Sequence, residues 1–112
     1  MKPDVPEIGI REVHAALASP TPPRLIDVRE PDEWEHSRIP GAELLPLSQW
    51  PQLAIEKLTD KNQELLIHCH HGGRSARATA WLLGQGFTNV KNVAGGIDAW
   101  STEIDASVPR YD

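Results

Sequence analysis

The sequence predicts an α/β domain: a mostly parallel central sheet of about five strands, flanked by helices on both faces. Two observations predict it. Apolar runs of strand length alternate with segments of helical spacing along the chain. Glycine, proline and small polar residues fall where one kind of segment gives way to the next. The chain has 112 residues with no internal repeat or low-complexity tract. Residues 1–112 are therefore expected to form one domain, its core running from about residue 7 to about residue 101.

Each element has its own signal. Residues 1–9 are proline-rich, with at most a short strand near Glu7–Gly9. Ile10, Val13, His14 and Leu17 share one face of a helix over Ile10–Ala18. SPTPP (19–23) is a loop, and LIDV (25–28) is a strand followed by Arg29 and Glu30. Pro31 suits a first helical turn, and the acids after it suit the positive end of a helix, so PDEWEHS (31–37) reads as a short helix. RIPGA is a turn, and AELLPL (42–47) resumes a strand. Ser48 is placed to cap a helix from Gln49 to about Lys57. After the polar loop TDKNQ comes a strand at 64–68, then the segment CHHGGRS, then a helix carrying Ala76, Ala80 and Leu83 until Gly84 and Gly86 stop it. FTNVKNV (87–93) is the last strand and GGIDAWSTEI (95–104) the last helix. The DASVPRYD tail is expected to lie as coil on the surface. Trp34, Trp50, Trp81 and Trp100 read as packing anchors, and His14 and His36 as surface or capping residues.

The chemistry concentrates in CHHGGRS, which holds the only cysteine, Cys69. A glycine-rich turn from a strand into a helix gathers backbone N–H groups, and the helix N-terminus adds partial positive charge, so the turn suits an anion. That environment and Arg74 favour the thiolate of Cys69. An inert core cysteine and a metal cluster built on HCHH are the alternatives. The cluster lacks the separated second pair of structural zinc sites, and neighbouring strand residues diverge, so no metal and no other cofactor is expected. Asp27 is expected to ion-pair with an arginine behind the cysteine loop, since a carboxylate beside the thiol would oppose its ionisation.

Composition narrows the partners. A net charge of −5 argues against nucleic acid, and no apolar run reaches membrane-spanning length. One cysteine makes no internal disulfide, so a cytoplasmic location is expected. No Asp or Glu lies between Leu65 and Ile97, while Arg74 and Arg77 do, which points to a small anionic substrate.

Several stretches together carry a family resemblance. They are LIDVREPDEWEHSRIPGA (25–42), HCHHGGRSA (68–76), WLLGQGFTNV (81–90) and VAGGIDAW (93–100). In this order they resemble the rhodanese-like domains, the single-domain sulfurtransferases. The match implies a three-layer rhodanese-like fold and a persulfide chemistry. Cys69 would take a sulfane sulfur from thiosulfate or a similar donor and pass it to cyanide or a thiol in a ping-pong reaction. Backbone N–H groups of His70, His71, Gly72, Gly73, Arg74 and Ser75 would hold the persulfide. Arg74 would bind the donor's anionic end, and Asp27 and Arg29 would match the family's Asp-x-Arg strand end. A sulfur-carrier protein is a further possible acceptor. The sequence departs from the family at His70 and His71, where Arg or Gln is common, and at Arg38, where His is frequent; both bear on donor preference and pH dependence. A relay or regulatory module acting on a partner protein is the alternative function. A phosphatase or arsenate reductase is less favoured, because only four residues separate Cys69 from Arg74.

Overall fold

Leu65, Leu66 and Ile67 cannot all be buried against one layer, because successive strand residues point to opposite faces. In the computed structural model, which describes residues 2–112, they lie on the central strand β4 (Leu65–His68), and all four of its residues are buried. Around it stand β1 (Glu7–Ile8), β2 (Arg24–Asp27), β3 (Glu43–Leu44) and β5 (Val90–Val93). The sheet order is β1-β5-β4-β2-β3, and every pairing is parallel.

Helices cover both faces, giving the three expected layers. Leu65 and Ile67 join Ile26 and Val28 in a core closed by α3 (Gln52–Lys57) and α4 (Gly73–Gly84), through Ala54, Ala78 and Leu82. Leu66 and Leu25 face the other way, against α1 (Ile10–Leu17) and α5 (Gly96–Glu103), through Ile10, Val13, Ile97 and Trp100. Burying each such Leu or Ile contributes about 1.5–3 kcal/mol, so β4, packed from both sides, anchors the fold. The remaining helix, α2 (Pro31–His36), buries no residue and is fixed by a reciprocal cap between Glu30 and Glu33. Among the described residues no helix is long and apolar enough to cross a membrane.

Three local expectations are corrected. Ser48 caps nothing: α3 starts at Gln52, after a 3₁₀ turn at Leu47–Gln49. Pro51 restricts the residue before it to extended backbone, and Trp50 (φ −86°, ψ 155°) breaks the helix there. Ser48 instead donates to Glu30. The strands expected at 42–47 and 87–93 pair only over Glu43–Leu44 and Val90–Val93. The tail is not simply laid on the surface: Val108 is buried in the α1–α5 layer, and Tyr111 packs against it.

Candidate functional site

The two-residue period of a strand sorts the site's side chains. Cys69 follows β4 and continues the parity of Leu65 and Ile67, so it joins their layer. His68 follows the parity of Leu66. Asp27 stands beside it in register, and Asp27 and Arg29 alternate with Val28, which points into the Cys69 layer. Asp27 and Arg29 therefore meet on the side of the sheet away from the thiol. Both are fully buried. The Arg29 guanidinium donates to Asp27 Oδ2 at 2.7 Å, to Asp27 Oδ1 at 3.0 Å and to the Ser37 carbonyl at 2.7 Å. The partner expected for Asp27 is thus Arg29 itself. A buried pair of this kind is strongly destabilising only when one member is removed.

Cys69 is the free cysteine of the chain and is only 2 % exposed, yet its sulfur is not lodged among hydrocarbon alone. Gly72 N–H donates to Sγ at 3.1 Å and Ser75 N–H at 3.4 Å, with Ser75 Oγ 3.3 Å away. These groups converge because the loop closes on Gly72, which has φ +113° and caps the N-terminus of α4. An L side chain is strained at that φ. Of the six loop residues expected to line the sulfur, Gly72 and Ser75 point donors at it. His70 and His71 stack on each other at the rim, with ring centroids 3.9 Å apart. Gly73 begins α4, and the Arg74 guanidinium bonds Glu33 rather than the sulfur.

Ser75 has a second neighbour that sequence reasoning missed. Its Oγ lies 2.5 Å from Asn92 Oδ1, on β5. One hydroxyl carries one proton, so donating to Asn92 leaves Ser75 Oγ an acceptor towards a thiol, while a thiolate would compete for that proton. Asn92 is fully buried, and its Nδ2 also donates to the Gly72 carbonyl at 3.1 Å. It holds the loop from behind. His68 does so from beneath: a carbonyl can only accept, so His68 Nδ1 donates to Cys69 O at 3.2 Å, which fixes the tautomer. Burial pushes the His68 imidazole below its ordinary value, so it stays neutral although Asp27 opposes the shift.

Arg74 is the clearest departure from expectation. The acid-free stretch of sequence is not acid-free in space. Glu33 of α2 accepts from Arg74 Nη1 at 2.6 Å and Nη2 at 2.8 Å, and Asp98 of α5 lies 4.0 Å from His71. Arg74, with desolvation working against it, still keeps its proton more firmly than usual, chiefly through Glu33. Tyr111, from the tail, donates to Glu33 at 2.7 Å and accepts from Arg29 at 2.9 Å. Its ring stacks on His70, 3.9 Å between centroids and 9° from parallel. Neither Glu33 nor Tyr111 carries a local sequence signal for this role, since their partners lie 41 and 78 positions apart from Glu33.

A parallel sheet wrapped on both faces, with one thiol cradled by main-chain N–H groups at a strand-to-helix turn, defines a small α/β domain with a built cysteine site. The chain belongs to the rhodanese-like domain family, whose pattern matches residues 10–103. It is 38 % identical over 112 aligned positions to the chloroplastic rhodanese-like/PpiC domain-containing protein 12 of Arabidopsis thaliana, covering 96 % of this chain and 38 % of that protein. It is 34 % identical to the thiosulfate sulfurtransferase GlpE of Pseudoalteromonas translucida, with 77 % of this chain and 80 % of that one aligned. The human single-domain sulfurtransferase TSTD1 superposes with a TM-score of 0.75 at 29 % identity, covering 89 % of this chain and 98 % of that one. The chain spans well under two thirds of the length of the Arabidopsis relative.

Proposed function

We propose that this domain is a sulfurtransferase that carries a sulfane sulfur on Cys69. The observation that carries this reading is the convergence of Gly72 N–H, Ser75 N–H and Ser75 Oγ on one sulfur atom. With thiosulfate as donor, the Cys69 thiolate attacks the sulfane sulfur. A new S–S bond forms at Cys69, the donor's S–S bond breaks, and sulfite leaves with its electron pair. The outer sulfur of the persulfide bears the negative charge. Main-chain N–H groups already aimed into the cradle stabilise it with no reorganisation at the moment of reaction. Cyanide or a thiolate then takes the outer sulfur, and the Cys69 thiolate returns.

Arg74 directly precedes Ser75, whose N–H and Oγ touch the sulfur. Glu33 occupies one N–H on each of its Nη atoms, so three of the five guanidinium N–H groups are left for the donor's oxygens. The sheet supports this assignment too, because it keeps the Asp27 carboxylate out of the thiol's layer.

Intact-protein mass spectrometry after mixing with thiosulfate tests the reading. The expected result is the added mass of one sulfur atom on the wild-type chain and none on Cys69→Ser. A Cys69→Ser variant that still transferred sulfur would end the proposal.

A further inference from the structure

The donors in question are anions, yet three arginines around the loop are already matched. Arg29 is paired with Asp27, Arg74 with Glu33 and Arg110 with Asp98. Glu33 is held most completely. Its carboxylate accepts from both Nη atoms of Arg74, from Tyr111 Oη and, across the α2 cap, from Glu30 N–H. The direction of the tyrosine proton is settled by charge. Arg29 can only donate to Tyr111 Oη, so the phenol's own proton goes to Glu33. Burial pushes the phenol up to about 12, so it keeps that proton, while the hydrogen bonds from Arg74 and, less, from Tyr111 hold the Glu33 carboxyl at about 2 against the opposing effect of burial. The rim therefore presents a fixed Arg–carboxylate pair at every working pH.

We propose that Glu33, kept in place by Tyr111, sets the donor preference of the site by offsetting the charge of Arg74. A lone guanidinium attracts a doubly charged donor about twice as strongly as a singly charged one at the same distance. The Glu33–Arg74 pair removes most of that difference while leaving Arg74 N–H groups to orient the donor. The site then selects sulfane-sulfur anions by hydrogen-bond fit and favours singly charged donors, such as thiosulfonates and small-molecule persulfides, over what an unpaired arginine would select. This inference rests on Cys69 being the sulfur carrier.

The test compares kcat/KM for thiosulfate, a dianion, with that for methanethiosulfonate, a monoanion, using the full chain and cyanide as acceptor. In Glu33→Gln the thiosulfate-to-thiosulfonate ratio is expected to rise about tenfold over wild type at low ionic strength. Added salt should return it towards the wild-type value, because only a charge effect is screened. Tyr111→Phe, which keeps the ring stack and removes the proton given to Glu33, should move the ratio the same way by about twofold. Tyr111→Phe carries the test alone should Glu33→Gln fail to fold. A wild-type chain that gains sulfur on Cys69 while the variants leave the ratio unchanged, or shift it without responding to salt, overturns the role of Glu33 alone. A wild-type chain that gains no sulfur from either donor overturns the carrier reading and this inference with it.

Discussion

Two strand-to-helix junctions in this domain share one local grammar and do different work. Both follow a buried strand, both contain paired glycines, and both cap their helix with a left-handed glycine, Gly72 before α4 and Gly95 before α5. The first bends around the Cys69 sulfur. The second has no nucleophile, and its helical N–H groups go to the first: Ile97 N–H donates to Cys69 O at 2.9 Å and Asp98 N–H to His70 O at 3.1 Å. Those two bonds tie the start of the first loop to α5, next to the Gly72 turn whose N–H reaches the sulfur. The difference teaches that the helix N-terminus nearest a reactive group is not the only one that matters. A neighbouring terminus can act by holding the carbonyls at the start of the reactive loop.

The comparison can be broken most severely at Gly96. A Cβ there would overlap the Cys69 carbonyl and sit 2.5 Å from the His70 carbonyl, on a residue with φ +56°. Gly96→Ala is expected to cost about 3 kcal/mol or more in stability, from overlap and backbone strain together. It should also abolish sulfur uptake, as read by denaturant unfolding and intact mass. Gly72→Ala meets only ordinary contacts, the nearest 3.6 Å away, so its cost is the left-handed backbone alone, about 1–2 kcal/mol. If Gly72→Ala proved the more damaging of the two, the bracing role of the second junction would be wrong.

Ser75→Ala sharpens the picture on the first junction. It leaves Asn92 Oδ1 without its hydroxyl partner and removes one group beside the sulfur, for about 1 kcal/mol of stability and about a tenfold slower sulfur uptake in stopped-flow assays. The smallest effect is a pH dependence at the first junction and the strand that leads into it. Burial, and then the neighbouring His71, hold the His70 imidazole below its ordinary value. The unfolded chain therefore binds more protons than the folded one just below the free histidine value of about 6.5, and stability falls as pH drops through it. Buried His68 adds a slope of the same sign. His70→Phe, which keeps a ring against Tyr111, should flatten the His70 share between about pH 7 and 5.5 in urea titrations. The second junction, Ala94–Gly96, has no titratable side chain to respond.

Much of this was legible from residue order. β4 announced itself as consecutive apolar residues, and the CHHGGRS turn placed Cys69 at a helix start, because both signals are local. The parity that separates Asp27 from the thiol was implicit in the same strands. What was not legible depends on contacts between distant segments. Arg74 looked like an unopposed cation because its stretch lacks acids, yet Glu33 reaches it from α2. Asn92 looked like an ordinary strand residue until β5 was set beside β4. Tyr111 looked like tail because eight residues of coil carry no period, and only its three-dimensional neighbours reveal its place. Ser48 failed for a local reason that was available, since the proline at 51 forbids the helix it was meant to cap.

The near-complete enclosure of Cys69 has a kinetic consequence under the sulfur-carrier reading. Displacement at sulfur needs the incoming, transferred and departing atoms in line, and so little of this residue meets solvent that donor and acceptor must use the same narrow doorway. They cannot be seated together. Each reagent in excess should therefore obstruct the other's half of the cycle, so that velocity climbs, peaks and declines as either concentration is raised alone.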